Sequence, residues 1–187
     1  MDYAFNVFNK YATNGLAVAL HECVKQTNEL PVVVCIGSDL AIGDSLGPIV
    51  GSMLSYKTQG LDCFIYGTLS SPVTAKEIKY VVKLLTATHP KRKIIAVDAA
   101  VGDSGDIGLI KVNQAPLLPG AGAHKKLGQI GDLSVLGIVA EKSVANYGLL
   151  NTTRLNLVYS MAEIISSSLS DLLWEMRSQK NECKQNA

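Results

Sequence analysis

The sequence predicts an α/β domain: a twisted, mostly parallel sheet with helices on its two faces. Three observations carry this. Residues 32–37, 62–68 and 93–98 are short apolar runs, several of them rich in β-branched side chains. Such runs suit strands buried on both faces. Segments with helical apolar spacing separate them, and strand–helix–strand succession means right-handed crossovers and parallel neighbours. Finally, 187 residues at 48% hydrophobic and 18% charged make one domain of common size. A chain of that length buries roughly 70% of its unfolded surface.

The elements follow in order. Residues 3–28 place Phe5, Phe8, Tyr11, Ala12, Leu16, Ala19, Leu20 and Cys23 at helical spacing. Residues 1–30 are therefore expected to be a helical segment packed on the domain, broken near Asn14 and Gly15. The α/β/α domain itself is expected over residues 31–178. Its first strand, 32–37, leads through a Gly-punctuated loop to a helix over 48–59. After the second strand, 62–68, Ser71 and Pro72 read as N-cap and first helical position. Ile78, Val81, Val82 and Leu85 then share one helical face, which stops before Pro90. The third strand is 93–98. Two more strands are expected over 107–112 and 133–139, around a turn-rich stretch at 116–131. A long helix over 152–177 closes the domain, and residues 179–187 form a polar, fraying tail.

Composition excludes several function classes. Seventeen Lys and Arg against sixteen Asp and Glu give a net charge of +1. That leaves no electrostatic footprint for nucleic acid or an anionic membrane. No apolar run approaches the roughly 18 residues of a membrane span, and the first residues lack a signal-peptide pattern. A cytoplasmic protein is the expectation. Four cysteines without a CxxC pair suit neither a disulfide scaffold nor a zinc site.

In open α/β sheets ligands bind beyond the carboxyl ends of the strands. Asp44, after the first strand, and Asp98, ending the third, both lie there, and a 2-1-3 strand order would bring them together. Four apolar residues before Asp98 predict desolvation and a raised pKa. Asp44 opens a helix, whose dipole favours the ion. Carboxyls pulled apart in this way make a general acid and base. The plainer alternative is that Asp44 caps a helix and Asp98 ties a loop.

Other motifs carry less. Gly43, Asp44, Ser45 and Leu46 spell the string of GDSL esterases, with Ser45 as nucleophile, but none of His21, His89 and His124 lies in the required DxxH. His21 and Glu22 begin an HExxH that Lys25 breaks. There is no GxGxxG, Walker or GxSxG pattern. The small-residue loop with Gly120, Gly122 and His124 offers N–H groups for an anion or oxyanion, or is an ordinary turn. His124 could also complete a carboxylate–histidine metal site with Asp44 and Asp98.

The string Cys35, Ile36, Gly37, Ser38, Asp39, followed by Gly43, Asp44, Ser45, Leu46, Gly47 and Pro48, resembles the spore protease YyaC family. Tyr66 to Leu69, Pro119 to Ala123, Gly131 to Leu133, Gly137 to Val139 and Thr153 to Leu155 extend the resemblance in order. That family is similar in turn to the germination protease and the hydrogenase maturation endopeptidases. The resemblance implies a three-layer α/β/α fold of the hydrogenase-maturation-protease-like, phosphorylase/hydrolase-like kind. It also implies two acidic positions, matched here by Asp44 and Asp98, which bind nickel in the maturation endopeptidases. His124 has no counterpart in the pattern, so no third nickel ligand carries over.

The expected function is a sporulation-associated peptidase in the cytoplasm of a spore-forming bacterium, acting on spore proteins or precursors. Asp98, or the pair sharing a proton, would activate water while the other carboxyl protonates the leaving nitrogen. Asp39, Ser45, Gly120, Gly122 and His124 are expected to contact a protein or peptide substrate. No cofactor is required, although a divalent metal between Asp44 and Asp98 is an open alternative. A non-catalytic peptide- or partner-binding sporulation factor and a metal-binding maturation-type endopeptidase remain the other readings.

Overall fold

Side-chain alternation along one four-residue strand sets the layers. Val33 and Cys35 enter one hydrophobic cluster, whereas Val32 and Val34 enter another on the opposite face. A strand with no polar face must be covered twice. The computed structural model describes residues 2–25, 27, 29–119, 128–142 and 153–185. Within them run β1 (Asp2–Asn6), α1 (Ala12–Val24), β2 (Val32–Cys35), α2 (Leu46–Lys57), β3 (Phe64–Tyr66) and α3 (Ile78–Thr88). They are followed by β4 (Ile94–Gly102), β5 (Leu109–Asn113), β6 (Leu133–Glu141) and α4 (Leu155–Gln185).

The sheet order is β1-β5-β6-β4-β2-β3. Strands β3, β2, β4 and β6 run parallel, and β5 and β1 add antiparallel at one edge. The first three predicted strands thus lie in the expected 2-1-3 order. Leu16, Leu20, Leu46, Val50, Leu54, Met161, Ile165 and Leu169 of α1, α2 and α4 fill one face. Ile78 and Leu85 of α3 cover the other. Full burial of each such side chain contributes about 1.5–3 kcal/mol. The architecture is the three-layer α/β/α sandwich that the sequence predicts.

Four local expectations are corrected. Residues 2–6, placed in a helix by apolar spacing, are strand β1. Tyr3 and Phe5 alternate with exposed Asp2, Ala4 and Asn6, and the whole strand pairs with β5. The first thirty residues are therefore not wholly helical. Helix α1 also runs unbroken through Asn14 and Gly15. A Cβ on Gly15 would lie 2.8 Å from the Phe5 ring, so its missing side chain seats the aromatic rather than ending the helix.

The third correction concerns Ser71 and Pro72, which do not start α3. Val73 bridges to Ile36, and its carbonyl accepts the Gly37 N–H at 3.0 Å. The helix is instead prepared by Thr74 and Glu77, where the Glu77 carboxylate accepts the Thr74 N–H at 3.0 Å. This is one half of a Thr-x-x-Glu cap; the Thr74 hydroxyl donates to the same carboxylate instead of accepting the Glu77 N–H, which bonds the Thr74 carbonyl. Last, the expected polar tail is helical as far as Gln185. Lys180 holds it by reaching Glu29 at 3.0 Å.

Candidate active site

Both aspartates sit where β2 and β4 deliver their chains to the same end of the sheet. After β2, Gly37 adopts a φ of +140° and turns the backbone out of the sheet. A loop then returns through a single 3-10 turn, Gly43–Ser45, into α2. Backbone bonds close it: the Ser38 N–H donates to the Asp44 carbonyl at 3.1 Å, and the Asp44 N–H to the Ala41 carbonyl at 3.0 Å. A Cβ at Gly37 would collide with the Asp44 carbonyl, and one at Gly47 with the Ile36 carbonyl. Two glycines therefore let the start of α2 press against the end of β2, which fixes where Asp44 points.

Asp98 follows Val97 on β4, the residue paired with Cys35. It is 8% exposed, and its Oδ1 accepts the Ala99 N–H at 2.8 Å. Burial pushes its carboxyl well above the ordinary value of 3.8, and the nearby charge of Asp44 pushes it further, against the pull of the Ala99 N–H. Burial also raises Asp44, partly offset by the Ser38 N–H. The expectation that the helix start simply keeps Asp44 ionised is thus corrected, because burial outweighs it. The charge of Asp44 therefore works against ionisation of Asp98, in the same direction as its burial.

The remaining predicted site residues divide. Asp39 is exposed on the β2–α2 loop, at the rim rather than beside the pair. Ser45 is buried, and its hydroxyl donates to the Ile42 carbonyl at 2.7 Å, so it braces the turn. No described histidine serves it as base. His21 lies 3.7 Å from Glu175, and His89 bonds the Tyr66 hydroxyl at 2.9 Å. Among the described residues the geometry gives the esterase reading of Ser45 no support. Gly120, Gly122 and His124, with the oxyanion and third-ligand roles weighed for them, lie outside the described residues.

Two carboxylates offer a cation two oxygen donors. Among the described residues no group of three or more His, Cys, Asp or Glu is placed to hold a metal. The described residues therefore do not by themselves assemble a metal site. Cys35, the thiol nearest the site in sequence, is fully buried, and burial pushes its pKa far up, so it is no nucleophile. Gly37 and Gly47 are the residues whose roles the sequence alone hides. Both stand in the quoted motif, but only the approach of two backbones shows what they do.

Fold and site define the class first: an α/β/α protein with two buried acidic side chains, Asp44 and Asp98, toward the same end of its sheet. Its fold is similar to that of a [NiFe] hydrogenase maturation protease, HycI from Thermococcus kodakarensis KOD1. The TM-score is 0.53 at 15% identity, over 83% of this chain and 99% of that one. The chain belongs to the family described as "Protein of unknown function (DUF1256)", which matches residues 4–168. It is 44% identical over 140 residues to the "Uncharacterized protein YyaC" of Bacillus subtilis (strain 168), covering 74% of this chain and 67% of that protein. A shorter match, 32% identical over 87 residues, is to a "Probable M18 family aminopeptidase 2" of Ectopseudomonas mendocina (strain ymp). It covers 45% of this chain and 20% of that protein. Among the described residues no helix is long and apolar enough to cross a membrane.

Proposed function

We propose that the protein is a peptidase that uses Asp44 and Asp98 as a general base and general acid. One observation carries the reading: a buried carboxyl, Asp98, whose proton affinity is raised by burial and by a second carboxyl, Asp44, at the same sheet edge. Of the two, Asp98 holds the proton more strongly. Asp44, rather than Asp98 as the sequence suggests, is then the base that takes a proton from water as its oxygen attacks the peptide carbonyl carbon. Asp98 donates its proton to the nitrogen of the breaking C–N bond. Two like groups with one proton between them are suited to this exchange, since each change of charge on one is answered by the other.

The peptidase-like fold and the resemblance to the spore protease YyaC family support a protein or peptide substrate. Within that class we place spore proteins or their precursors, and the cytoplasm of a spore-forming bacterium as the site of action. The test is cleavage of a spore-protein extract, read as new peptide N-termini by chemical labelling and mass spectrometry. New termini are expected with the unmodified protein and absent with Asp44→Asn or Asp98→Asn, both folded. Undiminished cleavage by either variant, or no cleavage by the unmodified protein, refutes the proposal.

A further inference from the structure

Strand β4 outruns its neighbour on one side. Its pairing with β2 covers Ile94 to Val97 and ends at the Cys35–Val97 pair. On the other side it continues beside β6 from Ile95 to Gly102. Beyond Val97 no strand among the described residues lies along its β2 side, because Gly37 has turned β2 away to meet Val73. Among the described residues, the segment from Asp98 to Gly102 therefore presents a sheet edge that begins at the buried aspartate itself.

The direction of each backbone group follows from alternation. The Val97 carbonyl points to β2, accepting the Ile36 N–H at 2.7 Å. The Gly102 carbonyl points the other way, accepting the Lys142 N–H at 2.7 Å. Ala99 and Val101 consequently turn their N–H and C=O groups to the open side. The Ala99 N–H is already taken by Asp98 Oδ1, and among the described residues no backbone group outside the β4–β6 ladder bonds the Ala99 carbonyl or either Val101 group. Unpaired strand groups are satisfied best by another main chain. The edge is about 16 Å long at about 3.3 Å per residue, room for four or five residues of an extended chain.

We propose that the substrate binds by strand addition, its backbone extended along Ala99 to Gly102 in the line that β2 vacates. This rests on the peptidase reading above and deepens it: the guest is an unfolded or extended segment, held by its main chain. Its path passes Asp98, which sets one of its peptide bonds before the pair. Recognition is correspondingly weak in sequence preference near the pair, since Ala99, Ala100, Val101 and Gly102 offer only small side chains. The 3-10 turn bearing Asp44 packs against β4, and its loop exposes Leu40 and Ile42, which favour apolar side chains on the guest.

The experiment uses a panel of fluorescein-labelled octapeptides and the Asp44→Asn protein, so that binding is read without turnover. The tightest binder is then remade with single backbone N-methyl groups at each position. Methylation at alternate positions should weaken binding about three- to tenfold each, the value of one lost hydrogen bond, and leave the positions between unchanged. Val101→Pro, added to the same protein, removes an N–H that faces the open side and no bond to β6. It should weaken every octapeptide by a similar factor. A methyl scan without alternation, an affinity untouched by Val101→Pro in a folded protein, or no binding by any octapeptide overturns the proposal. If Val101→Pro does not fold, the methyl scan decides alone. Alternation without cleavage by the unmodified protein would retire the peptidase and keep the added strand. Cleavage without alternation would do the reverse.

Discussion

Replacing Asp98 by Asn should stabilise the protein while abolishing turnover, and the gain should grow with pH. The amide matches the carboxyl in shape, and its Oδ1 still accepts the Ala99 N–H, so the packing of an 8%-exposed side chain is kept. What disappears is the cost of burying a group that ionises beside Asp44. Uncompensated burial of such a group costs on the order of 1–3 kcal/mol. For a domain of this size about 1 kcal/mol moves Tm by about 2–4 °C, so a rise of about 2–12 °C is expected. The pH dependence has a definite sign. The folded state raises the proton affinity of Asp98 above its ordinary 3.8, so between those values the folded protein binds more protons than the unfolded chain. Wild-type stability on account of this group therefore falls as pH rises through that window and then levels off. Asp98→Asn has no such slope. Thermal unfolding followed by circular dichroism from about pH 4 to about pH 8 spans the onset. A Tm difference that does not change with pH, or a variant less stable than wild type at the alkaline end, would refute the argument that Asp98 is desolvated beside Asp44.

Three further outcomes test the scaffold. Gly47→Ala drives a Cβ onto the Ile36 carbonyl, backbone against backbone, so urea unfolding should show a loss of about 1–3 kcal/mol or more, with peptide cleavage lost beyond what unfolding explains. Ser45→Ala removes only the brace to the Ile42 carbonyl; stability should fall by about 0.5–1.5 kcal/mol while cleavage persists, and an abolished activity would revive Ser45 as nucleophile. His89 lies tilted against Phe64 with ring centroids 4.3 Å apart, and burial, with the charge of Arg92, lowers its proton affinity below 6.5. Its contribution is present above that value and lost as pH falls through it toward the folded pKa. Denaturant titrations at about pH 7 and about pH 5 should then show wild type losing more stability than His89→Gln, and equal losses would contradict the buried neutral ring.

Parts of the site were legible because they are local. The apolar run before Asp98 and the glycine-flanked Asp44 identify a strand and a helix start without any knowledge of the partners, but the strand does not end at Asp98 as the run suggests: β4 continues to Gly102 because β6 goes on pairing with it. Ser45 shows the limit of that legibility. Its motif names an esterase, and only its bond to Ile42 shows a turn brace. The N-terminal residues failed for a similar reason. Tyr3 and Phe5 fit helical spacing when read with Phe8 and Tyr11, and the choice of strand is made by β5, more than one hundred residues away. The Thr74–Glu77 cap, by contrast, was written in the sequence and was masked by the stronger-looking Ser71 and Pro72.

The amino-acid sequence by itself determined the layered α/β/α class, the core runs of β2 and β4, and the choice of Asp44 and Asp98 as candidates, because each depends on side chains adjacent along the chain. Tertiary structure decided the rest. That Asp44 and Asp98 share an environment depends on β2 and β4 becoming neighbours and on Gly37 and Gly47 letting two backbones touch. That β4 continues past its pairing with β2 at Asp98 depends on where a different strand stops. Proton affinity and strand pairing are properties of what surrounds a residue, and those surroundings come from distant parts of the chain.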